Sequence, residues 1–366
     1  MTEDAVWAEI GDRVRESRLA ASLSQEQLAN EVGLERTKVA KIESGNRQIN
    51  AVELTRLARA LGMPLSHFLY PRPEVISRRA PLVDDTNSSA ARESYQIEAK
   101  LSAWLRDVRQ LMDLGVLSPK PLLKYPGALN MSDAARQAAV WTRSRLDLDD
   151  TPISTLMAVC ESAGQFVLVV DLPGDGASLV DRDVAVAVVS NKHSPGRRRA
   201  TAAHELGHLV LGDEYSSDLG GGIAASRADR EGLIDAYAAE LLLPIQVVRK
   251  FRPNSDLRKH LTKLCATYRT SWSLAVRQAA AAGLIAADQC AGWQSKPPPT
   301  HAEMMESVGW TPPPDFEKVR VPPSYADAVL AAWRADMITT SRAIELMHGQ
   351  INAEDLGLKP EDGFAP

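Results

Sequence analysis

The residues with the clearest chemical role are two histidines and a glutamate in the segment Ala203-His-Glu-Leu-Gly-His-Leu209. If this segment is a helix, His204 and His208 lie four residues apart on one face, so both imidazoles can turn a ring nitrogen toward one metal ion. A catalytic Zn²⁺ site takes three protein ligands and keeps its fourth position for water. Glu205 would lie next to that water and act as general base. The segment therefore predicts a zinc centre that still needs a third ligand.

Two acidic positions downstream are candidates for that ligand. The segment 227–243 has a helical pattern up to Pro244, and on it Glu231 and Asp235 are again four residues apart. One carboxylate can bind the metal while the other accepts the outer N–H of a ligating histidine. Glu240 is the rival, but it lies about two and a half turns beyond Glu231, so one helix cannot easily offer both. We favour Glu231. Zinc and manganese remain alternatives, because a His₂Glu site accepts several divalent ions.

Two short apolar runs predict a small sheet beside the metal helix. The segments 165–171 (QFVLVVD) and 184–190 (VAVAVVS) are rich in β-branched residues, which favour strands. The rest of the chain has mainly helical patterning and includes a helical segment at 325–348. We therefore predict a mainly α protein with a small β-sheet, an α+β fold.

The N-terminal segment predicts a helix-turn-helix. Ser24 and Gln27 stand at the two positions of a capping box that would begin a helix at 25–32. Gly33 ends that helix, and the next runs from about residue 35 to 42. Two short helices joined by such a turn place the second in the DNA major groove. The candidate DNA contacts are Gln25, Arg36, Thr37, Lys38, Lys41 and Arg47.

The N-terminal domain at 1–70, called the head below, has a small net charge for a DNA-binding module. Ile10, Val14 and Leu19 give its first helix an apolar face, and a fourth helix is expected at 50–61. Residues 1–80 carry 12 basic and 11 acidic side chains, although the basic ones cluster at the third helix. DNA affinity depends strongly on phosphate contacts. A helical bundle used for protein contacts is therefore the alternative, and DNA binding would need a homodimer or a second contact.

Length and composition bound the domain organisation and the compartment. A chain of 366 residues suggests two to three domains. We predict a helix-turn-helix domain at 1–70, a linker at 71–95, a metallopeptidase domain at 96–290, a proline-rich spacer at 291–324 and a small helical segment at 325–366. The three cysteines fit no disulfide framework, and no apolar stretch approaches a membrane span. We expect a cytoplasmic protein without a membrane partner.

The head resembles the lambda-repressor/Cro (XRE) family over about 60 residues. The resemblance is carried by Leu23-Ser-Gln-Glu-Gln-Leu-Ala29, Val39-Ala-Lys-Ile-Glu-Ser-Gly45 and Leu57-Ala-Arg-Ala-Leu-Gly62. It implies an all-α domain that binds an operator in double-stranded DNA. Glu35 stands where the family usually has a small polar cap, and its carboxylate would weaken binding near phosphates or select against some sequences.

Residues from about 130 to 290 resemble the ImmA/IrrE family of zinc metallopeptidases. The resemblance is carried by the strand that ends at Asn191, the metal helix and Ala236-Tyr-Ala-Ala-Glu-Leu-Leu-Leu-Pro244. It implies a zincin-like fold in which the residues have these roles: His204, His208 and Glu231 bind Zn²⁺, Glu205 is the general base and Asp235 is the supporting acid. Ile234 and Gly212-Asp213 depart from the family pattern, which often has alanine and histidine there, but neither removes a ligand.

The two resemblances together imply a regulator, by one of two routes. In the first, a DNA-binding zinc metalloendopeptidase cleaves a transcriptional repressor in mobile-element or stress control. In the second, a helix-turn-helix transcription factor uses its zinc domain as a sensor or scaffold without proteolysis. The intact metal motif favours the first route. A toxin or phage-defence effector is a third reading that gene context would have to decide.

Overall fold

The computed structural model of the protein describes residues 3–70, 77–78, 89–129, 133–212, 223–252, 256–309, 315–316 and 320–357. Most of the described residues are helical, and a small sheet lies in the middle of the chain, which confirms the predicted fold class. Within these ranges, no helix combines the length and the apolar character that crossing a membrane requires.

The head is a compact group of short helices whose ends are fixed by local hydrogen bonds. Ser24 and Gln27 form the predicted capping box, and Asn50 forms a second one with Glu53. Gly33 ends the second helix at a left-handed φ of 70°, which glycine adopts without steric cost. The head helices are α1 (Glu3–Ala20), α2 (Gln25–Val32), α3 (Arg36–Glu43), α4 (Ala51–Ala60) and α5 (Leu65–Leu69).

One part of the predicted α1 face is wrong. Ile10 and Val14 are buried, but Leu19 is exposed. The buried positions one turn beyond Val14 belong instead to Ser17 and Arg18. Both can be buried because both have partners: Ser17 Oγ lies 3.1 Å from Tyr95 Oη, and the Arg18 guanidinium binds Glu43 at 2.6 and 3.0 Å.

In the middle of the chain, helices pack on both faces of the sheet. Helix α6 begins at Ser89, inside the segment predicted as linker to residue 95, and from Tyr95 onward its side chains pack on the head and on the sheet. The elements are β1 (Ser77–Arg78), α6 (Ser89–Asp113), α7 (Ala134–Arg145), α8 (Leu156–Ser162), β2 (Gln165–Val170), β3 (Gly176–Asp181), β4 (Val184–Ser190), α9 (Pro195–Leu211), α10 (Ile223–Leu242), α11 (Ile245–Val248), α12 (Leu257–Tyr268) and α13 (Trp272–Ala281).

The sheet has the strand order β1-β3-β4-β2. The predicted strands β2 and β4 pair in parallel, with Gln165 opposite Ala185. Strand β3, which the sequence pattern did not reveal, pairs antiparallel with β4. The two-residue strand β1 pairs antiparallel with the outer edge of β3, so that Ser77 lies opposite Ser178.

Two hydrophobic cores lie on the two faces of the sheet. Every residue of β4 is buried, and alternate residues point to opposite faces, as the period of a strand requires. Ala185, Ala187 and Val189 pack toward α7–α13, which include the metal helix α9. Val186 and Val188 pack toward α6 and the C-terminal helices. The metal helix is therefore held against a fully buried strand.

The C-terminal part was predicted as a spacer and a separate helical segment, but its helices pack against the rest of the protein. Thr300 caps a helix inside the predicted spacer, and this helix packs on α12, where Arg258 binds Glu303 at 3.2 Å. Tyr325 is fully buried against Trp104 of α6, because the last helices complete the second core. The elements are α14 (Cys290–Gln294), α15 (His301–Val308), α16 (Pro323–Arg334) and α17 (Thr340–Leu346), with a 3₁₀ turn at Ala287–Gln289.

Candidate metal centre and DNA-binding head

Helix α9 carries the predicted metal motif in the interior of the protein. It starts with Pro195 in the first turn and ends at Gly212, which has a left-handed φ of 65°. His204, Glu205 and His208 are exposed by only 1%, 0% and 2%. Buried ionisable groups are costly unless they are paired or bind a metal, so this cluster needs partners.

Three side chains bring donor atoms to one point. The Nε2 atoms of His204 and His208 are 3.2 Å apart, and Glu231 places Oε2 3.1 Å from the first and Oε1 4.0 Å from the second. Donor atoms of all three residues lie within 4.8 Å of one another. Donors about 2.1 Å from a tetrahedral Zn²⁺ would be roughly 3.4 Å apart, so these separations fit such an ion.

Asp235 contacts the other nitrogen of the first histidine. Its Oδ1 lies 2.9 Å from His204 Nδ1. A carboxylate at this position favours the tautomer in which Nδ1 carries the proton and donates it to the hydrogen bond. Nε2 of His204 is then left with its lone pair directed toward the donor cluster. Helix α10 thus supplies both carboxylates from one face, one turn apart.

Glu205 lies on the sheet side of the motif. Its Oε2 accepts a hydrogen bond of 2.7 Å from Ser178 Oγ on β3, and its backbone carbonyl accepts one of 3.0 Å from Gln165 Nε2 on β2. Both partners are buried. Sequence reasoning missed these two residues, since a serine in a run of small residues and a glutamine at the start of a strand match no metal motif.

The predicted DNA contacts fall into two groups. Gln25 and Arg47 are held by acids of the head: Gln25 Nε2 donates to Glu43 at 2.8 Å, and Arg47 binds both carboxylate oxygens of Glu53 at 3.1 and 2.7 Å. The hydrogen bond from Arg47 lowers the pKa of Glu53. The remaining four lie exposed on α3: Arg36, Thr37, Lys38 and Lys41.

The predicted departure at Glu35 has a direct electrostatic contact. Glu35 is the residue before α3 and forms no side-chain hydrogen bond to the backbone as a cap. Its Oε1 lies 3.8 Å from Lys38 Nζ, and its Oε2 accepts a hydrogen bond from Thr37 at 3.4 Å. Two of the exposed α3 side chains therefore share a carboxylate, which reduces the positive charge that this helix offers to phosphates.

Comparison with known proteins matches the two regions to different families. Residues 9–67 match the family model of a helix-turn-helix domain. Residues 165–278 match the family model of the IrrE N-terminal-like domain. The chain carries a helix-turn-helix domain and an IrrE-like domain. Both expected resemblances are thereby confirmed.

One curated relative supports the regulatory character of the chain. An uncharacterized transcriptional regulator in the ATPase CF(0) region of Rhodospirillum rubrum is 40% identical over 63 residues. This match covers 17% of the present chain and 58% of the relative. The combination of the two domains is consistent with a regulatory protein.

Glu240, the rival third ligand, has a different role in the IrrE-like domain. Its Oε2 binds Arg136 at 3.1 Å and Gln278 at 3.0 Å, while Oε1 accepts a hydrogen bond of 3.0 Å from the backbone N–H of Ile245. Its carboxylate thereby joins α7, α13 and the start of α11. Glu240 is not part of the donor cluster found among the described residues.

Helices α9 and α10 approach closely at Gly207. A Cβ atom at this position would lie 3.0 Å from both Ile234 Cγ2 and Tyr237 Cδ1. Ile234, one of the departures from the family pattern, therefore packs directly behind the metal motif. Tyr237 is fully buried, its hydroxyl donates to Thr142 at 3.1 Å, and burial raises its pKa. Asp213 lies outside the described residues.

Proposed function

We propose that this protein is a DNA-binding regulatory metalloendopeptidase that cleaves a transcriptional repressor. The proposal depends above all on one observation, the convergence of two histidine nitrogens and a carboxylate beside a buried glutamate. The helix-turn-helix would bring the peptidase to an operator, where its substrate is bound. Double-stranded DNA and a repressor are the proposed partners, and a homodimer would supply the second DNA contact.

His204, His208 and Glu231 are the residues that would hold the metal. A divalent ion at this position, which we propose is Zn²⁺, supplies Lewis-acid chemistry that activates water and polarises a peptide carbonyl. Asp235 orients His204 through the hydrogen bond at Nδ1. The low exposure of both histidines limits the access of bulk water to their ring nitrogens, so that electrostatic interactions at these atoms are strong.

Glu205 would move the protons of the reaction. Its carboxylate accepts a proton from the attacking water and passes it to the leaving amide nitrogen, so that one water and one peptide bond give a carboxylic acid and an amine. Ser178 holds one carboxylate oxygen at 2.7 Å. This hydrogen bond fixes the rotamer of Glu205 and limits the directions from which it can meet a substrate.

Two variants test whether proteolysis or DNA occupancy is the output. Glu205→Gln keeps the size of the side chain but removes the base. Arg36→Ala together with Lys38→Ala removes two exposed cations of α3, and a side chain that reads a base edge contributes about 1–3 kcal/mol of binding free energy. Glu306→Gln, an exposed position on α15, is the matched control for the glutamate change. Each variant replaces the wild-type protein in the organism that carries its gene. Two quantities are measured, the transcript levels, which report regulation, and the new protein N-termini, which report peptide cleavage.

We expect that Glu205→Gln abolishes regulation and that the new N-termini no longer form, while DNA binding stays at the wild-type level. The alternative is a transcription factor whose metal domain is a sensor or scaffold. It is favoured by the description of the Rhodospirillum rubrum relative as a transcriptional regulator. If Glu205→Gln leaves regulation intact and the α3 variant abolishes it, this alternative replaces our proposal.

A further inference from the structure

A large cavity separates the helix-turn-helix head from the sheet. It has a volume of about 940 Å³. One wall is formed by the end of α4 and by α5 of the head, a second by α6, and the others by β2 and the end of α17. The donor cluster of α9 and α10 does not line it. The cavity is therefore distinct from the candidate metal centre and contacts both halves of the protein.

The cavity has an excess of unpaired positive charge. Five basic side chains line it: Arg59, Lys100, Arg106, Arg109 and Arg342. Two of them are occupied, because Arg342 binds Asp107 at 2.7 Å and Glu345 at 2.8 Å, and Arg109 binds Asp181 at 2.8 Å. Among the described residues, Arg59, Lys100 and Arg106 form no ion pair, and Asp113 is the one acid of the lining without a basic partner.

Arg106 is the most unusual of these cations. Its Nε and Nη2 atoms are buried and find no hydrogen-bond acceptor in the described part of the chain. Its guanidinium carbon lies 5.5 Å from the ring centroid of Tyr70, and burial lowers its pKa. The neighbouring Asp107 does not bind these two atoms, and its carboxylate binds Arg342 and His348 instead. Buried N–H groups without acceptors are rare, and a planar guanidinium fits a carboxylate or phosphate.

The head supplies an apolar wall next to this charge. Leu65, Leu69 and Tyr70 line the cavity and are exposed by 42%, 48% and 53%, which is high for large apolar side chains. Leu168 of β2 also lines the cavity. A ligand with an apolar body could cover these surfaces while its anionic group meets Arg106. An apolar wall and a few placed polar or charged groups are typical of binding sites for small organic ligands.

We propose that this cavity binds an organic anion, a carboxylate or a phosphate ester with an apolar body, and that Arg106 is its main counter-ion. The ligand would contact the head and the sheet together, so its binding would stabilise their present arrangement. This inference goes beyond the proposed peptidase function and does not depend on it, because binding is measured without DNA, peptide or metal.

Calorimetric titration of the full chain with three probes tests the site. The probes are octanoate, octyl phosphate and inorganic phosphate. We expect saturable 1:1 binding of at least one octyl probe, and the one that binds more tightly identifies the anionic group. Inorganic phosphate should bind at least about tenfold more weakly, because it leaves the apolar wall exposed.

Three variants locate the binding. Arg106→Gln should weaken binding of the octyl probe at least about tenfold, because it removes a charge-assisted hydrogen bond. Arg145→Gln, an exposed position on α7, should leave the affinity unchanged. Leu69→Asn changes an exposed residue and so preserves the fold, yet it should weaken binding of the octyl probe about threefold.

Two results would overturn the inference. The first is no saturable binding of either octyl probe to the wild type up to about 1 mM, a concentration that already corresponds to weak affinity. The second is equal affinity of the wild type, Arg106→Gln and Leu69→Asn, which would put the anion elsewhere. Circular dichroism of each variant confirms that weaker binding does not reflect a failure to fold.

Discussion

Gly207→Ala should disturb the metal centre through the packing of two helices. The new Cβ would lie 3.0 Å from Ile234 Cγ2 and 3.0 Å from Tyr237 Cδ1. Carbon atoms in good contact are about 3.5–4.0 Å apart, so α9 and α10 must separate by roughly 0.5–1 Å. Both contacted side chains are buried and cannot simply turn away. Helix α10 carries Glu231, whose carboxylate must move with it.

Two opposing effects determine how much Gly207→Ala changes the free energy of unfolding. Overpacking of a core costs about 1–3 kcal/mol, whereas replacing a helical glycine by alanine gains about 1 kcal/mol. We therefore expect the free energy of unfolding of the apoprotein to fall by about 1 kcal/mol. The effect on metal affinity should be larger, roughly tenfold, because the third ligand moves away from the two histidines.

Urea unfolding and a competitive zinc titration measure the two effects. Gly232→Ala is the matched control, since it lies on α10, is exposed, and its Cβ would meet no atom within 4 Å beyond its chain neighbours and its own helix backbone. It should stabilise the protein by up to about 1 kcal/mol and leave zinc affinity unchanged. In an Ile234→Ala background, the cost of Gly207→Ala should shrink by about 1 kcal/mol. If Gly207→Ala is as stable as Gly232→Ala and binds zinc equally well, the close approach of the helices is refuted.

Three further outcomes are expected from other parts of the fold. Glu240→Ala removes the carboxylate that joins three helices, and it should lower the free energy of unfolding by about 2 kcal/mol in urea while metal content stays constant. Ser77→Pro removes a backbone donor from β1 and should accelerate hydrogen exchange at the outer edge of β3; unchanged exchange would argue against that pairing. Iodoacetamide at about pH 8 should label Cys290 before the other two cysteines, and mass spectrometry detects the order of labelling. The reason is that burial raises the pKa of the Cys160 thiol and raises that of Cys265 to about 12. Early labelling of Cys160 or Cys265 would contradict their burial.

Local signals explain what the sequence predicted well. The helix α2 has its predicted bounds because Ser24, Gln27 and Gly33 fix both ends by hydrogen bonds within a few residues. The donor cluster was likewise predictable, since a spacing of four residues on a helix brings His204 and His208 together without knowledge of the rest of the fold.

The remaining features depend on contacts that are distant in sequence. Strand β3 has the mixed sequence Gly-Ala-Ser-Leu-Val-Asp, and pairing with β4 rather than local preference makes it a strand. Ser178 becomes a partner of Glu205 only through that pairing. The spacing of Glu231 and Asp235 favoured Glu231 as the third ligand, but the role of Glu240 could not be predicted, because its partners Arg136 and Gln278 lie on the distant helices α7 and α13.

The metal content of the purified protein tests the central claim most directly. Wild type, His204→Ala and Glu231→Gln are compared by elemental analysis, with His301→Ala, an exposed histidine, as the control. We expect about one zinc per chain in the wild type and the control, and loss of that zinc in the two ligand variants. No metal in the wild type after reconstitution, or full metal content in His204→Ala, would contradict it.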